Sequence, residues 1–280
     1  MKFFLLLFVL IPVSSFAYDF KVLSWNVYML PKPIKNSMQK TRSGIIPGQI
    51  SQSDHDLIFM QEAFMKSFRN KMRDGLAKTH PHTYYLKNNR FPIPVFGSGL
   101  FVLSKFPLRL IDHIYYTSCA SADCLASKGA AMIEITLPDN QLIQVVNTHL
   151  QATVGAGRIR MKQLGQIHRM LLRNKKENVP QFLIGDLNID IHQPEFQMGL
   201  NLLGMNYAQL TGPILNTGGR PNECFKSGST LDWIDHMWFD NYSITSSEMR
   251  VRLFEFQRRG KTCPLSDHHA IEASFHFEDV

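Results

Sequence analysis

The sequence predicts one α/β domain in which helices cover layers of β-sheet. Two observations support this prediction. Segments of strand and helix character alternate along the whole chain, and no internal repeat, low-complexity tract or linker interrupts them. The composition agrees, because 280 residues with 44% hydrophobic and 19% charged side chains can bury a large core without staples. Disorder, a collagen-like chain and a disulfide-stapled miniprotein are thereby excluded.

The first half of the chain supplies strands and one helix in turn. Phe20–Trp25 alternates and is rich in β-forming residues, and Leu57–Glu62 has the short apolar pattern of a buried strand. Between Met65 and Lys78, apolar side chains recur at helical spacing among Lys and Arg, which predicts a helix. Gly99–Leu103 is predicted as the next strand.

The second half continues the alternation. Ala131–Thr136 and Leu142–His149 are predicted as strands, and the segment from Arg158 to Arg173 as a helix with an apolar stripe. Another buried-strand pattern follows at Gln181–Asp186. The last two predicted strands are Asp232–Phe239 and Ala270–Phe277.

The first 17 residues have the pattern of a secretory signal. Lys2 precedes the apolar run Phe3–Pro12, and Ser15-Phe16-Ala17 places small residues at positions −3 and −1 of a cleavage site. The apolar run is about half of the roughly 20 residues that span a bilayer, which favours a signal over a membrane anchor. We therefore expect residues 1–17 to be removed, residues 18–280 to form the domain, and the protein to be secreted or periplasmic.

Export makes disulfide bonds possible, and the chain has 4 cysteines. Four cysteines can pair in several ways. The favoured pairing closes a small loop between Cys119 and Cys124 and leaves Cys224 to join Cys263. The alternative is four reduced thiols. No C-x-x-C pattern occurs in the sequence, so neither a dithiol redox site nor a zinc knuckle is indicated.

Polar residues with complementary chemistry stand where the predicted strands stop. They are Asn26, Glu62, His149, Asp186 with Asn188, Asp235 with His236, and Asp267 with His268. Each residue alone is typical of a turn, of the first solvated position after a strand, or of a structural histidine. Together they indicate one site, because sheet proteins bind their ligands beyond the strand ends.

The residue types in this set indicate a hard divalent cation. Carboxylate and amide oxygens predominate, and they suit Mg²⁺, Mn²⁺ or Ca²⁺ better than a thiolate-preferring metal. The sequence has no H-E-x-x-H, G-x-S-x-G, Walker-type or G-x-G-x-x-G pattern, which disfavours zinc proteases, serine hydrolases, P-loop enzymes and dinucleotide enzymes. A hard cation with His and Asp points to hydrolysis of a phosphate ester. His268 beside Asp267 is the candidate base, although Asp267 can instead orient a metal or another histidine.

The order of six motifs resembles that of the endonuclease/exonuclease/phosphatase superfamily. The motifs are Ser24-Trp25-Asn26-Val27, Phe59-Met60-Gln61-Glu62, Asn147-Thr148-His149-Leu150, Gly185-Asp186-Leu187-Asn188, Ile234-Asp235-His236 and Ser266-Asp267-His268. The resemblance runs from Phe20 to Phe277. It implies a DNase-like four-layer α/β/β/α sandwich, with two packed mixed β-sheets flanked by helices, and a Mg²⁺-dependent phosphodiesterase or phosphatase.

Within that superfamily the chain looks most like the secreted bacterial neutral sphingomyelinases. The likeness rests on Asn26-Val27-Tyr28-Met29-Leu30, Ala126-Ser127-Lys128-Gly129 and Thr148-His149-Leu150-Gln151-Ala152. It implies a monomer that hydrolyses the membrane phospholipid sphingomyelin to ceramide and phosphocholine at the bilayer surface. Mg²⁺ would be the cofactor, with Mn²⁺ or Co²⁺ as substitutes.

The resemblance also assigns roles to residues of this chain. Glu62 would bind the catalytic Mg²⁺, with Asn26 beside it. His149, Asp186 and Asn188 would hold the phosphate and stabilise its transition state.

The proton transfer is assigned to the last motif. His268, next to Asp267, would be the general base for the attack of water on phosphorus, and Asp235 would support the site. His236 stands where an aromatic residue is frequent in the family, and it receives no catalytic role.

Two alternatives to a sphingomyelinase remain open. A secreted metal-dependent endonuclease on the same fold would share the chemistry at phosphorus, and the formal net charge of +7 suits nucleic acid as well as an anionic membrane surface. The surroundings of Tyr28 and Lys128 favour lipid. A catalytically inactive binding protein would have lost at least one of the site residues, and the sequence retains all of them.

Overall fold

Sixteen strands and four α-helices make up the part of the chain that the computed structural model describes, namely residues 18–32, 34–87, 96–152, 155–218, 224–225, 233–240, 244–246 and 248–277. The expected signal segment, residues 1–17, lies outside these residues. In chain order the strands are β1 (Phe20–Asn26), β2 (Leu57–Gln61), β3 (His82–Tyr85), β4 (Phe101–Ser104), β5 (Leu108–Tyr115), β6 (Gly129–Thr136), β7 (Leu142–His149), β8 (Gln181–Asp186), β9 (Met205–Tyr207), β10 (Leu210–Thr211), β11 (Asp235–Asp240), β12 (Ile244–Ser246), β13 (Met249–Arg252), β14 (Glu255–Arg258), β15 (Lys261–Pro264) and β16 (Ala270–Phe277). The helices are α1 (Gln39–Ile50), α2 (Lys66–Gly75), α3 (Gly157–Arg173) and α4 (Pro194–Leu203), with a short 3₁₀ helix at Ser121–Leu125.

The strands form two large mixed sheets and one separate hairpin, β14–β15. The first sheet has the order β10-β13-β16-β1-β2-β4-β3, with β12 beside β16, and the second has the order β5-β6-β7-β8-β11-β9. A parallel pair lies in each sheet, β1 with β2 and β7 with β8. The other neighbours of these four strands run antiparallel. The carboxyl ends of each parallel pair therefore lie together, beside the starts of β16 and β11.

The two sheets pack face to face, and helices cover their outer faces. Side chains of both sheets, such as Phe59 and Ile184, share the central core. A second core lies between the first sheet and α1 and α2, where Phe68 is buried. A third core joins Leu164 of α3 and the second sheet's Trp238. These three cores separate four layers, so the predicted α/β/β/α sandwich is confirmed.

Helix α1 is an element that hydrophobic periodicity does not predict. Six of its residues are buried, but Gln39, Arg42 and Ser43 among them are polar, so the buried face lacks an apolar stripe. The predicted helix Met65–Lys78 is present but shorter, at Lys66–Gly75. Tertiary hydrogen bonds, described below for Arg42, take the place of apolar contacts on the buried face of α1.

Both favoured disulfides are present. Cys119 and Cys124 lie 5.3 Å apart at Cα, with Cys124 inside the 3₁₀ helix, and Cys224 and Cys263 lie 5.8 Å apart and attach β15 to a distant segment. Two disulfides are typical of proteins in an oxidising compartment. Among the described helices, none is both long enough and apolar enough to cross a membrane.

Arg42 joins α1 to two other segments of the chain. Its side chain is fully buried, and all five of its N–H groups have acceptors. Nε donates to Ser37 O at 2.7 Å, and Nη1 donates to Val27 O and Leu265 O, each at 2.9 Å. Nη2 donates to Tyr28 O and to the Ser37 hydroxyl. The guanidinium therefore connects α1, the loop after β1 and the segment before β16.

We expect Arg42→Met to lower the free energy of unfolding by about 3 kcal/mol, because it leaves buried carbonyl oxygens without donors. Urea denaturation measures this change. Arg250→Met is the matched control, since Arg250 pairs with Glu248 at the surface and both side chains are more than half exposed. The control should unfold at nearly the wild-type urea concentration. Equal midpoints for wild type and Arg42→Met would show that the hydrogen bonds of Arg42 do not stabilise the fold.

Candidate active site

The strand ends that carry the sequence-predicted residues meet at one end of the sandwich. Asn26 ends β1, and Glu62 directly follows β2, its parallel neighbour. In the second sheet, His149 ends β7 opposite Asp186, and Asp186 also pairs with Asp235 at the start of β11. The Asn26 amide donates to Asp186 Oδ2 at 2.9 Å, which connects the two sheets. The site therefore lies across both sheets.

Asp186 is the anion at the centre of these contacts. Its Oδ2 accepts from Asn26 and lies 3.2 Å from His149 Nε2 and 3.7 Å from His268 Nε2. Its Oδ1 accepts the backbone N–H of Asn188 at 3.0 Å. The φ of Asn188 is 50°, in the left-handed region. Burial acts to raise the pKa of Asp186, but His149 and His268 outweigh this effect and hold the pKa below its ordinary value. The carboxyl group is therefore ionised.

His268 is held by a carboxylate from the other sheet. Its Nδ1 lies 3.0 Å from Asp235 Oδ2, and its backbone oxygen accepts the Trp25 indole N–H at 3.0 Å. The backbone N–H of Asp235 donates in turn to the Thr217 hydroxyl at 2.9 Å. Burial alone would lower the pKa of His268, but Asp235 and Asp186 raise it well above its ordinary value, while burial raises the pKa of Asp235 to about 6. With Nδ1 engaged, Nε2 is the nitrogen available to a reacting group.

Asp267 is not the carboxylate that pairs with His268, although the two residues are adjacent. Its Oδ1 is 3.5 Å from the Ser266 hydroxyl, and its charge raises the pKa of Glu62. Burial raises the pKa of Asp267 itself. The carboxylate that contacts the His268 ring is therefore Asp235 and not Asp267. Asp267 belongs to the carboxylate group around Glu62.

Glu62 combines a strained backbone with one carboxylate oxygen that has no hydrogen bond among the described residues. Its Oε2 is buried with no hydrogen-bond partner among the described residues, and burial together with Asp267 raises its pKa to about 7. Its φ of 53° is left-handed. Met29 N–H donates to Glu62 O at 3.1 Å, and Ala63 N–H donates to Gly99 O at 2.8 Å. A Cβ on Gly99 would lie 3.0 Å from Glu62 Cα, so only glycine fits beside this turn.

The neighbouring carboxylates of Glu62 and Asp267 are suited to hold a hard divalent cation. A buried carboxylate oxygen without a donor is costly, and neighbouring carboxylates raise that cost by repulsion. A cation with oxygen ligands would relieve both costs at Glu62 and Asp267. Asn26 lies beside them, and its Oδ1, which accepts Tyr28 N–H at 3.1 Å, keeps a second lone pair. The residues present therefore fit the metal that the resemblance implies.

A second trio also brings ligand atoms together. Atoms of Asp186, Asp235 and His268 lie within 4.8 Å of one another. In this trio the His268–Asp235 hydrogen bond already engages Nδ1 and one carboxylate oxygen. The geometry of this trio is therefore suited to proton transfer, whereas the surroundings of Glu62 are suited to bind a cation.

Lys128 is a site residue to which the motifs assign no role. Its buried Nζ donates to Asp123 Oδ2 at 2.8 Å and to Leu150 O at 2.7 Å, and it lies 3.1 Å from His149 Nε2. Burial, followed by the charge of Lys128, lowers the pKa of His149 to about 4. In the sequence, the one sign of this role is a lysine that stands among small residues directly before β6. Lys128 orients the His149 ring and places a positive charge inside the site.

Comparison with known proteins identifies relatives of this chain. The model of a family described as the Endonuclease/Exonuclease/phosphatase family matches residues 23–268. Phospholipase C of Staphylococcus aureus is 26% identical over 220 residues, which cover 67% of this chain and 62% of that protein. Sphingomyelinase C of Listeria ivanovii is 23% identical over 250 residues, which cover 80% of this chain and 73% of that protein. The chain thus spans less than two thirds of the staphylococcal protein.

Solved structures share the sandwich. Sphingomyelinase C from Streptomyces griseocarneus superposes with a TM-score of 0.75 at 20% identity, covering 92% of this chain and 99% of that one. A beta toxin variant from Staphylococcus aureus, with bound magnesium ions, gives 0.76 at 19% identity, covering 94% and 100%. At this identity the likeness concerns the fold. Because the family model extends from β1 to His268, the chain belongs to the endonuclease/exonuclease/phosphatase family.

Proposed function

We propose that the protein is a Mg²⁺-dependent phosphodiesterase that hydrolyses sphingomyelin to ceramide and phosphocholine. The observation that carries this proposal is the His268–Asp235 pair next to Asp186, in the same site as the buried Glu62 Oε2, which has no hydrogen-bond partner among the described residues. Such a combination supplies a base for water and ligands for a cation. The names of the relatives, phospholipase C and sphingomyelinase C, support a phospholipid substrate.

His268, in its neutral form, acts as the general base in this proposal; a cation bound at Glu62 would oppose the carboxylates that raise the pKa of His268. Asp235 accepts from Nδ1, which leaves Nε2 to take a proton from water as the water oxygen bonds to phosphorus. The negative charge of Asp235 stabilises the imidazolium that forms. As the bond between phosphorus and the ceramide oxygen breaks, that oxygen leaves and takes up a proton. Sphingomyelin and water are thereby converted to ceramide and phosphocholine.

His149 and Asn188 bind the phosphate oxygens, and Asp186 orients both. An ionised carboxylate has no donor for a phosphate oxygen, so Asp186 acts through the groups that surround it. It accepts the backbone N–H of Asn188 and lies beside His149 Nε2. Lys128, which contacts His149, adds positive charge that favours the phosphorane-like transition state.

Glu62 is the principal Mg²⁺ ligand, with Asn26 and Asp267 beside it. A bound cation would neutralise phosphate charge and stabilise the leaving oxygen, and Mn²⁺ or Co²⁺ would substitute for Mg²⁺. The chain contributes the rigid left-handed turn at Glu62, which Gly99 makes possible.

The proposal extends to the setting of the reaction. Residues 1–17 would direct export, residues 18–280 would form the catalytic domain, and the enzyme would act as a monomer on a bilayer. Two disulfide bonds support an oxidising compartment, secreted or periplasmic.

With Mg²⁺, we expect the protein to release phosphocholine from sphingomyelin vesicles. Incubation with supercoiled plasmid DNA provides the comparison, because an endonuclease of this fold would nick it. Enzymatic detection of choline and agarose gels measure the two activities. Nicked plasmid without released phosphocholine would replace the lipid proposal by the nuclease alternative.

We expect His268→Ala to lower kcat about a thousandfold, because it removes the proton acceptor. Folding, measured by circular dichroism, and Mg²⁺ binding, measured by calorimetry, should be retained. His276→Ala is the control, since His276 lies near the end of β16 that is remote from His268 and pairs there with Asp19, and it should keep full activity. Wild-type turnover by His268→Ala would exclude His268 as the base.

We expect Glu62→Gln to weaken apparent Mg²⁺ binding about tenfold or more, since it removes a direct ligand. With a chelator present, this variant should melt at a higher temperature than wild type, because an unpaired buried charge is gone. Added Mg²⁺ should raise the melting temperature of wild type more than that of the variant. Glu248→Gln, at an exposed position, serves as the control. Equal Mg²⁺-induced shifts in wild type and Glu62→Gln would rule out Glu62 as a ligand.

A further inference from the structure

The proposed base and the carboxylate that holds it come from different sheets. Asp235 begins β11 in the second sheet, whereas His268 stands just before β16 in the first sheet. Their side chains meet where His268 Nδ1 lies 3.0 Å from Asp235 Oδ2. If the two backbones moved apart by about 1 Å, this hydrogen bond would be lost. The pair therefore depends on contacts that fix one backbone segment relative to the other.

The side chain of Thr217 holds the segment of Asp235. Thr217 lies in the chain after β10 and is fully buried. Its hydroxyl oxygen accepts the backbone N–H of Ile234 at 3.0 Å and that of Asp235 at 2.9 Å. One oxygen atom thus fixes two successive peptide groups at the start of β11.

The backbone of the same residue holds the segment of His268. The carbonyl oxygen of Thr217 accepts the His269 N–H at 2.8 Å. The next residue, Gly218, forms an isolated antiparallel bridge with His268. Thr217 therefore connects the two members of the pair, Asp235 through its side chain and His268 through the backbone beside it.

A hydroxyl group is needed at this position because the edge of β11 requires an acceptor there. Strand β9 pairs with β11 at Trp238–Asp240, three residues beyond Asp235. Buried backbone N–H groups need acceptors, and a hydroxyl oxygen has two lone pairs for two N–H groups. An apolar side chain of the same shape offers none. The Thr217 side chain also acts to lower the pKa of Asp235, against the effect of burial.

We propose that Thr217 is a positioning residue for the proposed reaction, because its hydroxyl fixes the Asp235 backbone and thereby the geometry of the Asp235–His268 hydrogen bond. This inference rests on the proposed role of His268 as the general base. Thr217 acts through Asp235 rather than on the substrate. Since small displacements of a catalytic group slow the chemical step, loss of the hydroxyl should lower kcat and leave KM nearly unchanged.

Variants at Thr217 test the hydroxyl with sphingomyelin as substrate. Thr217→Val removes it at nearly constant shape, and we expect kcat to fall about 30-fold with KM within about twofold of wild type. Thr217→Ser keeps the hydroxyl, so kcat should stay within about threefold of wild type. Thr217→Ala also lacks the hydroxyl but leaves space for water to accept the two N–H groups, so it replaces Thr217→Val if that variant does not fold.

Thr211→Val is the matched control, because the Thr211 hydroxyl donates to Glu248 at the surface, six residues before Thr217. This control should keep the kcat of wild type. Wild-type kcat in both Thr217→Val and Thr217→Ala would overturn the positioning role. Equal losses in Thr217→Ser and Thr217→Val would overturn it as well, since the hydroxyl would then not be the group that matters.

A double-mutant cycle separates positioning from a general effect on the fold. In the His268→Ala background, Thr217→Val should change the residual kcat by less than about twofold, because the histidine whose partner Thr217 positions is already absent. A loss of the same factor with and without His268 would overturn the positioning role.

Nuclear magnetic resonance of the chelator-treated protein gives a readout that does not depend on turnover. With isotope-labelled histidine, the Nδ1 proton of His268 is identified by its absence from His268→Ala. Its signal should shift in Thr217→Val and stay in place in Thr217→Ser and Thr211→Val. An unshifted signal in Thr217→Val would overturn the positioning role. A shifted signal without any hydrolysis of sphingomyelin by wild type would retain Thr217 as the residue that positions the pair and overturn the proposed function.

Discussion

The buried guanidinium of Arg42 is the constraint on which the geometry of the site depends. Its five donors hold the backbone after Asn26 and the backbone just before Ser266, so one side chain sets the spacing between the first and last motifs. The acceptors are carbonyl and hydroxyl oxygens. Burial lowers the pKa of Arg42 to about 10, while Asp267 and Glu62 act in the opposite direction. The buried cation and the carboxylates of the site therefore stabilise one another through space.

A second constraint aligns the two sheets directly below the site. The Gln61 amide donates to Asn147 Oδ1 at 3.0 Å, and the Asn147 amide donates to Met60 O at 3.2 Å. Gln61 precedes Glu62, and Asn147 lies two residues before His149, so these buried amides set the two strand ends against each other. Polar groups between packed sheets are costly unless they are paired, which restricts the sheets to one alignment. The Asn26–Asp186 contact continues this alignment into the site itself.

The carboxylates of the site fall into two sets. Asp235 contacts His268 and is suited to proton transfer, whereas the charge of Asp267 raises the pKa of Glu62, and these two are suited to a cation. Asp186 stands between them and acts on both, because it contacts Asn26 on one sheet and His149 on the other.

The sequence by itself determined an α/β domain with helices over layers of sheet, and the polar residues at the strand ends, because apolar periodicity and the chemistry of strand ends are local properties. The four-layer sandwich followed from the resemblance of its ordered motifs to a known family. It also favoured the observed disulfide pairs, since one of them closes a short loop. Only the tertiary structure decided that Asp235 rather than Asp267 pairs with His268, because the two candidates approach from different segments and adjacency in sequence does not give contact. The contacts of Arg42 and Lys128 likewise could not be predicted from the sequence. Their partners are backbone oxygens and side chains distant in sequence, and such contacts exist only once both sheets have packed.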